Sequence, residues 1–312
     1  MGFFQHAAVN GFLMAILAHG LVGMSLVWDK VLLNRPMTKN LSSYVFWLGA
    51  ISIFGLALIP FGFHRPPPVW AALGFIAGLL DLIASYFYYW ALKAGEASDE
   101  LAAMGGFAPV ATALIAIPLL NKPIGGQLLG FALMTAGGFI MFFAEKRPLR
   151  TMLPKIVLAA SGFGLMNVLQ KMVFDHTNFV TGYVFVTLGT TAGALLMLIP
   201  PSWRRDIFEY SEEAPPRSKF WYMSNRFMAG VGSFLGVYAV SLTNPALVEA
   251  VSGLRYVVVF LGAYAVTKLK PSWFEEDFRL RVLIAKGMAT ALVVAGLVVT
   301  ALRGGQNGGG PQ

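Results

Sequence analysis

Ten apolar runs, each long enough to cross a bilayer, dominate this chain. They cover approximately residues 9–28, 42–62, 69–92, 98–119, 126–144, 153–172, 179–200, 222–243, 246–267 and 282–302. A helix needs about 20 apolar residues to cross the hydrocarbon core, and a strand about half as many. Lipid offers no partner to open backbone groups, so runs of this length predict helices. Ten crossings use most of the 312 residues and leave no room for a soluble catalytic domain. Only 12% of the residues are charged, about half the share of a soluble domain. The expected fold class is all-α, a polytopic membrane protein with ten transmembrane helices.

The runs are written twice. Leu17, Ala18, Gly23, Val27 and Lys30 recur 141 residues later as Leu158, Ala159, Gly164, Val168 and Lys171. Tyr89 and Glu100 recur 149 residues later as Tyr238 and Glu249. The halves meet near Lys146-Arg147-Pro148-Leu149-Arg150. Residues 9–144 form the first expected unit, 153–302 the second, and 303–312 a Gly-rich tail expected to be disordered. Five spans per unit is an odd number, so the second copy starts on the opposite face. Two inverted five-helix repeats follow. Doubled membrane units of this kind are how many transporters build a site reachable from either side. The offset grows between helices, and the long link from Pro200 to Phe220 supplies the insertion.

The charges sit mostly in links. The net charge of +8 is therefore an orientation signal and not a nucleic-acid footprint. Links 1–2, 5–6, 7–8 and 9–10 hold most of the Lys and Arg, which by the positive-inside rule places them in the cytoplasm and both termini outside. The first run has no basic leader before it and is long enough to remain as a span. With no cysteine, disulfides and thiolate metal sites are excluded. No HExxH, P-loop or GxSxG is present, and no His and carboxylate cluster has ligand spacing. The expectation is a protein that is not an enzyme and carries no cofactor and no metal. Pro271–Phe278 mixes aromatics with acids and reads as a surface helix or a solvated loop.

Ionisable groups inside a span usually face a cavity or a partner. Asp81 sits in mid-span 3 and His19 in mid-span 1. Glu249 lies one turn inside span 9, with Arg255 deeper in the same span. The helix dipole stabilises a carboxylate in a first turn without any ligand, an alternative reading of Glu249 and more so of its mate Glu100. For Asp81 the structural alternative is a buried ion pair, for instance with Arg255. Six residues correspond to about 240° around a helix, so Glu249 and Arg255 should face different ways. Lys30 and Lys171 close the first helix of each half; snorkelling explains either one, and their shared register suggests a paired role. Tyr86-Phe87-Tyr88-Tyr89-Trp90 ends span 3, and five aromatics in a row cannot all face lipid. Small residues in helices 1 and 6 allow close approach, and Pro109 breaks a hydrogen bond in mid-span 4.

Several features together resemble the drug/metabolite transporter superfamily, EamA-like branch. They are Gly followed seven residues later by Lys in helix 1 of each half, Tyr89-Trp90-Ala91-Leu92-Lys93, Pro109-Val110, and Leu120-Asn121-Lys122-Pro123-Ile124-Gly125-Gly126-Gln127 running into Gly130 and Gly137-Gly138. The likeness covers about residues 9–302 and is stronger in the first half. The chain departs from the family in the helix 4–5 turn, where Asn121-Lys122 stands in place of an acid, and in lacking a mid-helix Pro near Val258. The family is described with both termini cytoplasmic, against the charge count. The resemblance implies ten helices around a central cavity lined by helices 1, 3, 4, 6, 8 and 9. Carried over by position, His19, Asp81, Tyr86, Tyr89, Trp90, Asn167, Tyr238, Glu249 and Arg255 are its candidates for substrate binding or coupling.

The function expected is a secondary transporter of small polar metabolites or amino acids by alternating access, most simply an exporter in a bacterial plasma (inner) membrane. Its partners are the substrate, the bilayer and, if coupled, protons, in a monomer or homodimer. A flippase-like carrier of a lipid-linked precursor, or a non-transporting membrane subunit, is the alternative from another class.

Overall fold

The computed structural model describes residues 2–33, 41–94, 97–121, 125–144, 149–212, 216–269 and 280–306. Among these there is no strand. The elements in chain order are α1 (Gly2–Leu33), α2 (Leu41–Ile51) continued by a 3-10 helix (Ser52–Phe61), α3 (Pro68–Ala94), α4 (Ala97–Leu120), a 3-10 turn (Gly125–Gln127), α5 (Leu128–Ala144), α6 (Leu149–His176), α7 (Phe179–Leu196), α8 (Pro201–Glu212), α9 (Pro216–Leu242), α10 (Pro245–Val251), α11 (Leu254–Leu269) and α12 (Leu280–Gln306). The protein is all-helical. Five stretches combine the length and apolarity of a membrane span: Asn10–Asp29, Leu41–Phe61, Pro68–Ala91, Leu153–His176 and Phe179–Leu196. Shorter apolar helical stretches lie at Met104–Leu120, Leu128–Ile140, Val257–Val266 and Gly287–Thr300.

The helices depart from the hydropathy reading in four places. The second span is α-helical only to Ile51 and then winds more tightly as a 3-10 helix containing Pro60, which has no N–H to donate. The link after α7 is not a loop: α8 fills it, with Ile207 buried against Val45, Phe46 and Leu82. The ninth span is two helices, α10 and α11, separated by a turn at Ser252-Gly253. The last helix runs to Gln306, four residues into the expected disordered tail, because each added residue of an existing helix gains a hydrogen bond. The remainder of that tail and Pro271–Phe278 lie outside the described residues. α4 continues through Pro109, which is buried.

Small residues set the packing. α1 and α9 run antiparallel, with Gly11 against Leu242 and Thr243, and Gly232 against Ala18 and Leu21. α3 and α7 cross backbone to backbone at Gly78 and Gly189; a Cβ on Gly78 would fall on the Val186 carbonyl, and one on Gly189 on the Phe75 carbonyl. The repeated glycines of the first helices behave alike. Gly23 on α1 meets Arg255 and Val258 of α11, and Gly164 on α6 meets Thr112 of α4. α3 also packs along α6, and α5 along α12. The outcome is two blocks side by side, α1 with α9 and α11, and α2 with α3, α6 and α7.

Candidate functional site

The break in the ninth span organises a polar cluster. Asn244 opens α10, its side-chain oxygen accepting the Ala246 N–H at 2.9 Å, and Pro245 occupies the first helical position. The helix ends after seven residues. Its last N–H groups reach back three residues instead of four: Ser252 to the Glu249 carbonyl at 3.0 Å and Gly253 to the Ala250 carbonyl at 3.3 Å. This tightening deprives the Val248 carbonyl of the Ser252 N–H that a continuous α-helix would give it. His19, from the middle of α1, takes that place: its Nε2 lies 2.9 Å from the Val248 oxygen.

The other ring nitrogen faces Arg255, on the first turn of α11. Arg255 Nε donates to His19 Nδ1 at 2.8 Å. A carbonyl can only accept and a guanidinium N–H can only donate, so the two partners together assign the tautomer: neutral imidazole with the proton on Nε2. One buried histidine thus ties together the two halves of a broken helix.

Glu249 lies on the α10 side of the break. Its Oε1 accepts from Asn167 Nδ2 of α6 at 2.6 Å. Arg255 is within electrostatic reach of Glu249, yet the two form no ion pair. Both side chains keep partial exposure, whereas His19 and Asn167 are buried. The angular argument that sent Glu249 and Arg255 to different faces assumed a continuous helix, and the Ser252-Gly253 turn removes that premise. Arg255 does have another partner, but it is His19 and not Asp81.

The remaining sequence candidates lie elsewhere. Asp81 points from α3 to α7, where the Thr190 hydroxyl is 3.5 Å away and Tyr183 is within electrostatic reach. No described cation pairs with it, so the expected ion pair with Arg255 is absent. Tyr86 stacks on Trp203 of α8 at 5.6 Å. Trp90 is exposed, with the Lys155 ammonium 4.0 Å above its ring. Tyr89 turns inward against Tyr44, and Tyr238 meets Phe179. Lys171 is buried and does not snorkel: its ammonium donates to the Ser241 carbonyl at 2.9 Å and pairs with Asp175 at 2.8 Å. The side chains of Lys30 and Glu100 lie outside the described residues.

A second buried cluster was missed by sequence reasoning. Asp29, near the end of α1, forms an ion pair with Arg226 of α9 and accepts from Asn225 Nδ2 at 2.6 Å. The Arg226 guanidinium lies over the rings of Tyr44, at 4.7 Å, and Tyr222, at 5.6 Å. The signal was present. Asn225-Arg226 stands inside the eighth apolar run, and an ionisable residue there asks for a partner. Asp29 hid beside Lys30 at a span end, where charge is ordinary.

Residues 9–143 match the EamA-like transporter family. The first half of this chain is EamA-like. The resemblance read from Gly23, Lys30, Tyr89 and Pro109 agrees with that match, and the apolar helices agree with an integral membrane protein. No match emerges among curated proteins. A protein of known crystal structure shares the fold, with a TM-score of 0.62 at 18% identity over 95% of this chain and 98% of the other. That likeness is one of fold alone and covers nearly the whole molecule.

Proposed function

We propose that this protein is a secondary transporter of the drug/metabolite type, with ten membrane crossings in two inverted five-helix repeats, and that it moves small zwitterions such as amino acids by alternating access. One observation carries the substrate class. Glu249 and Arg255 bear opposite charges on the two sides of a helix break, and each is held by an uncharged partner instead of by the other. A substrate with an amine and a carboxylate can bridge them. Transporters place their sites at such interrupted helices, where loosened backbone lines a cavity.

The packing supports the inverted repeat. The first helix of each half packs along the third long helix of the other, α1 with α9 and α6 with α3. Gly23 and Gly164, a repeat pair, each seat a fourth helix, α11 and α4. Asp81, without a described cation, is the coupling group in this reading; its neighbours from α7 are Thr190 and Tyr183.

Counterflow of a labelled amino-acid panel into proteoliposomes tests the assignment. Arg255→Gln and Glu249→Gln are each expected to lower uptake at subsaturating substrate at least tenfold while the protein stays folded. Full uptake by both variants would remove the site. Asp81→Asn is expected to leave exchange running but to abolish its response to a pH gradient; an intact response would clear Asp81 of coupling.

A further inference from the structure

The two blocks of helices scarcely approach each other by backbone where α9 faces α2, α3 and α7. Long side chains bridge the gap instead, and they do so at two levels. At one level Tyr44 of α2 and Tyr89 of α3 meet edge to face, with ring centroids 4.5 Å apart. The Tyr44 ring also lies 5.9 Å from Tyr222 and 4.7 Å from the guanidinium of Arg226, both on α9. At the other level Phe179 of α7 meets Tyr238 of α9 edge to face at 4.9 Å, and Tyr183 meets Phe234 at 5.3 Å. Tyr238 follows Arg226 by twelve residues, so the levels are separated by about 18 Å along α9 at 1.5 Å per residue.

The sequence repeat relates the two levels. Tyr89 and Tyr238 are partners at the 149-residue offset. Their ring partners, Tyr44 and Phe179, both stand in the first turn of the second helix of their half. Tyr44 and Phe179 are 135 residues apart and are not repeat mates, so one ring of each pair is repeated, and the two pairs lie toward opposite ends of the molecule. We propose that Tyr44–Tyr89 and Phe179–Tyr238 are the two seals of the transport path, one closing each end and opening in turn. This rests on the transport reading above.

The seals differ in one respect. Arg226, Asp29 and Asn225 reinforce the first, whereas the repeat mates of Asp29 and Arg226 are Gln170 and Ala77, which cannot form an ion pair. The first seal also holds an unusual concentration of unmet polar atoms. Among the described residues, buried Ser25 Oγ, Tyr222 Oη, Asn225 Oδ1 and Arg226 Nε find no hydrogen-bond partner. Desolvated groups of this kind gain by meeting water, which offsets part of what the ion pair adds to this closed end. The other end is closed by the ring contacts of Phe179 with Tyr238 and of Tyr183 with Phe234, with no ion pair among them.

The natural absence of cysteine makes the test direct. The paired substitutions Tyr44→Cys with Tyr89→Cys, and Phe179→Cys with Tyr238→Cys, are introduced separately and together, and cross-linked in proteoliposomes. Either cross-link is expected to stop alanine or glutamine counterflow at least tenfold, with recovery on reduction. A thermal shift with the same amino acid should survive a single lock and vanish with both. Cross-linked protein that transports at the uncross-linked rate would overturn the seals. If the pairs do not fold, Ser25→Cys alone reports the same event: its reaction with an impermeant maleimide should change several-fold on adding substrate, and a constant rate overturns the first seal. An unmodified protein that carries no amino acid in counterflow defeats the transport reading, a result distinct from any of these.

Discussion

His19 shows how one side chain can support a site built by others. It supplies a donor to the Val248 carbonyl and an acceptor to Arg255 Nε, both left wanting by the break between α10 and α11. Phenylalanine would fill the space and satisfy neither. Each buried group left unpaired costs about 1–3 kcal/mol, so His19→Phe should destabilise the protein by roughly 2–5 kcal/mol, read as a fall in the thermal midpoint in detergent. Glutamine offers one donor and one acceptor, and His19→Gln should regain more than half of that loss. Equal loss in both variants would show that ring packing, not the two hydrogen bonds, is what matters. His19, Glu249 and Arg255 were legible in the sequence because ionisable groups in apolar runs stand out. Their arrangement was not. His19 and Arg255 are 236 positions apart, and nothing in a single sequence records such a contact.

Elements were legible wherever length and apolarity decide, and illegible wherever one or two residues do. The apolar runs locate the long helices, but hydropathy cannot see that Ser252-Gly253 divides a run or that Ser52–Phe61 winds as a 3-10 helix. Both features depend on backbone hydrogen bonds and on neighbours far away in the chain. α8 is invisible to hydropathy because its charges outweigh its apolar positions, although one of those positions, Ile207, is completely buried. The α3–α7 crossing offers a sharp test at this scale. Gly78 faces the Val186 carbonyl and the Thr190 N–H, which are backbone atoms and cannot rotate aside. Gly78→Ala should therefore cost about 1–3 kcal/mol or more and shift Asp81 relative to Thr190. Gly20→Ala, where nothing lies within 4 Å, should leave the thermal midpoint within about 0.5 kcal/mol of the parent. Similar losses at both positions would deny the close crossing.

In the proposed inverted repeat the frame is duplicated and the charges are not. Gly23 with Gly164 and Tyr89 with Tyr238 keep the repeat, while Asp29, Asp81, Arg226 and Arg255 face Gln170, Gly230, Ala77 and Gly106 at their repeat positions. A symmetric frame alone would favour neither end. The buried Asp29–Arg226 pair breaks that tie, since it adds to one seal what the other lacks. Removing a single partner leaves a buried charge uncompensated, which costs about 3–5 kcal/mol, whereas removing both can be nearly neutral. Asp29→Asn and Arg226→Gln should each lower the thermal midpoint sharply, and the double variant should recover most of it, giving a coupling of roughly 2 kcal/mol or more in a double-mutant cycle. The same double variant weakens only the reinforced seal, so its consequence for transport has a direction. Apparent affinity should rise when substrate is offered from the Asp29 end and fall from the other, because the ligand no longer works against a closed population there. Equal changes from the two faces would mean that the pair stabilises the fold without biasing which end is shut.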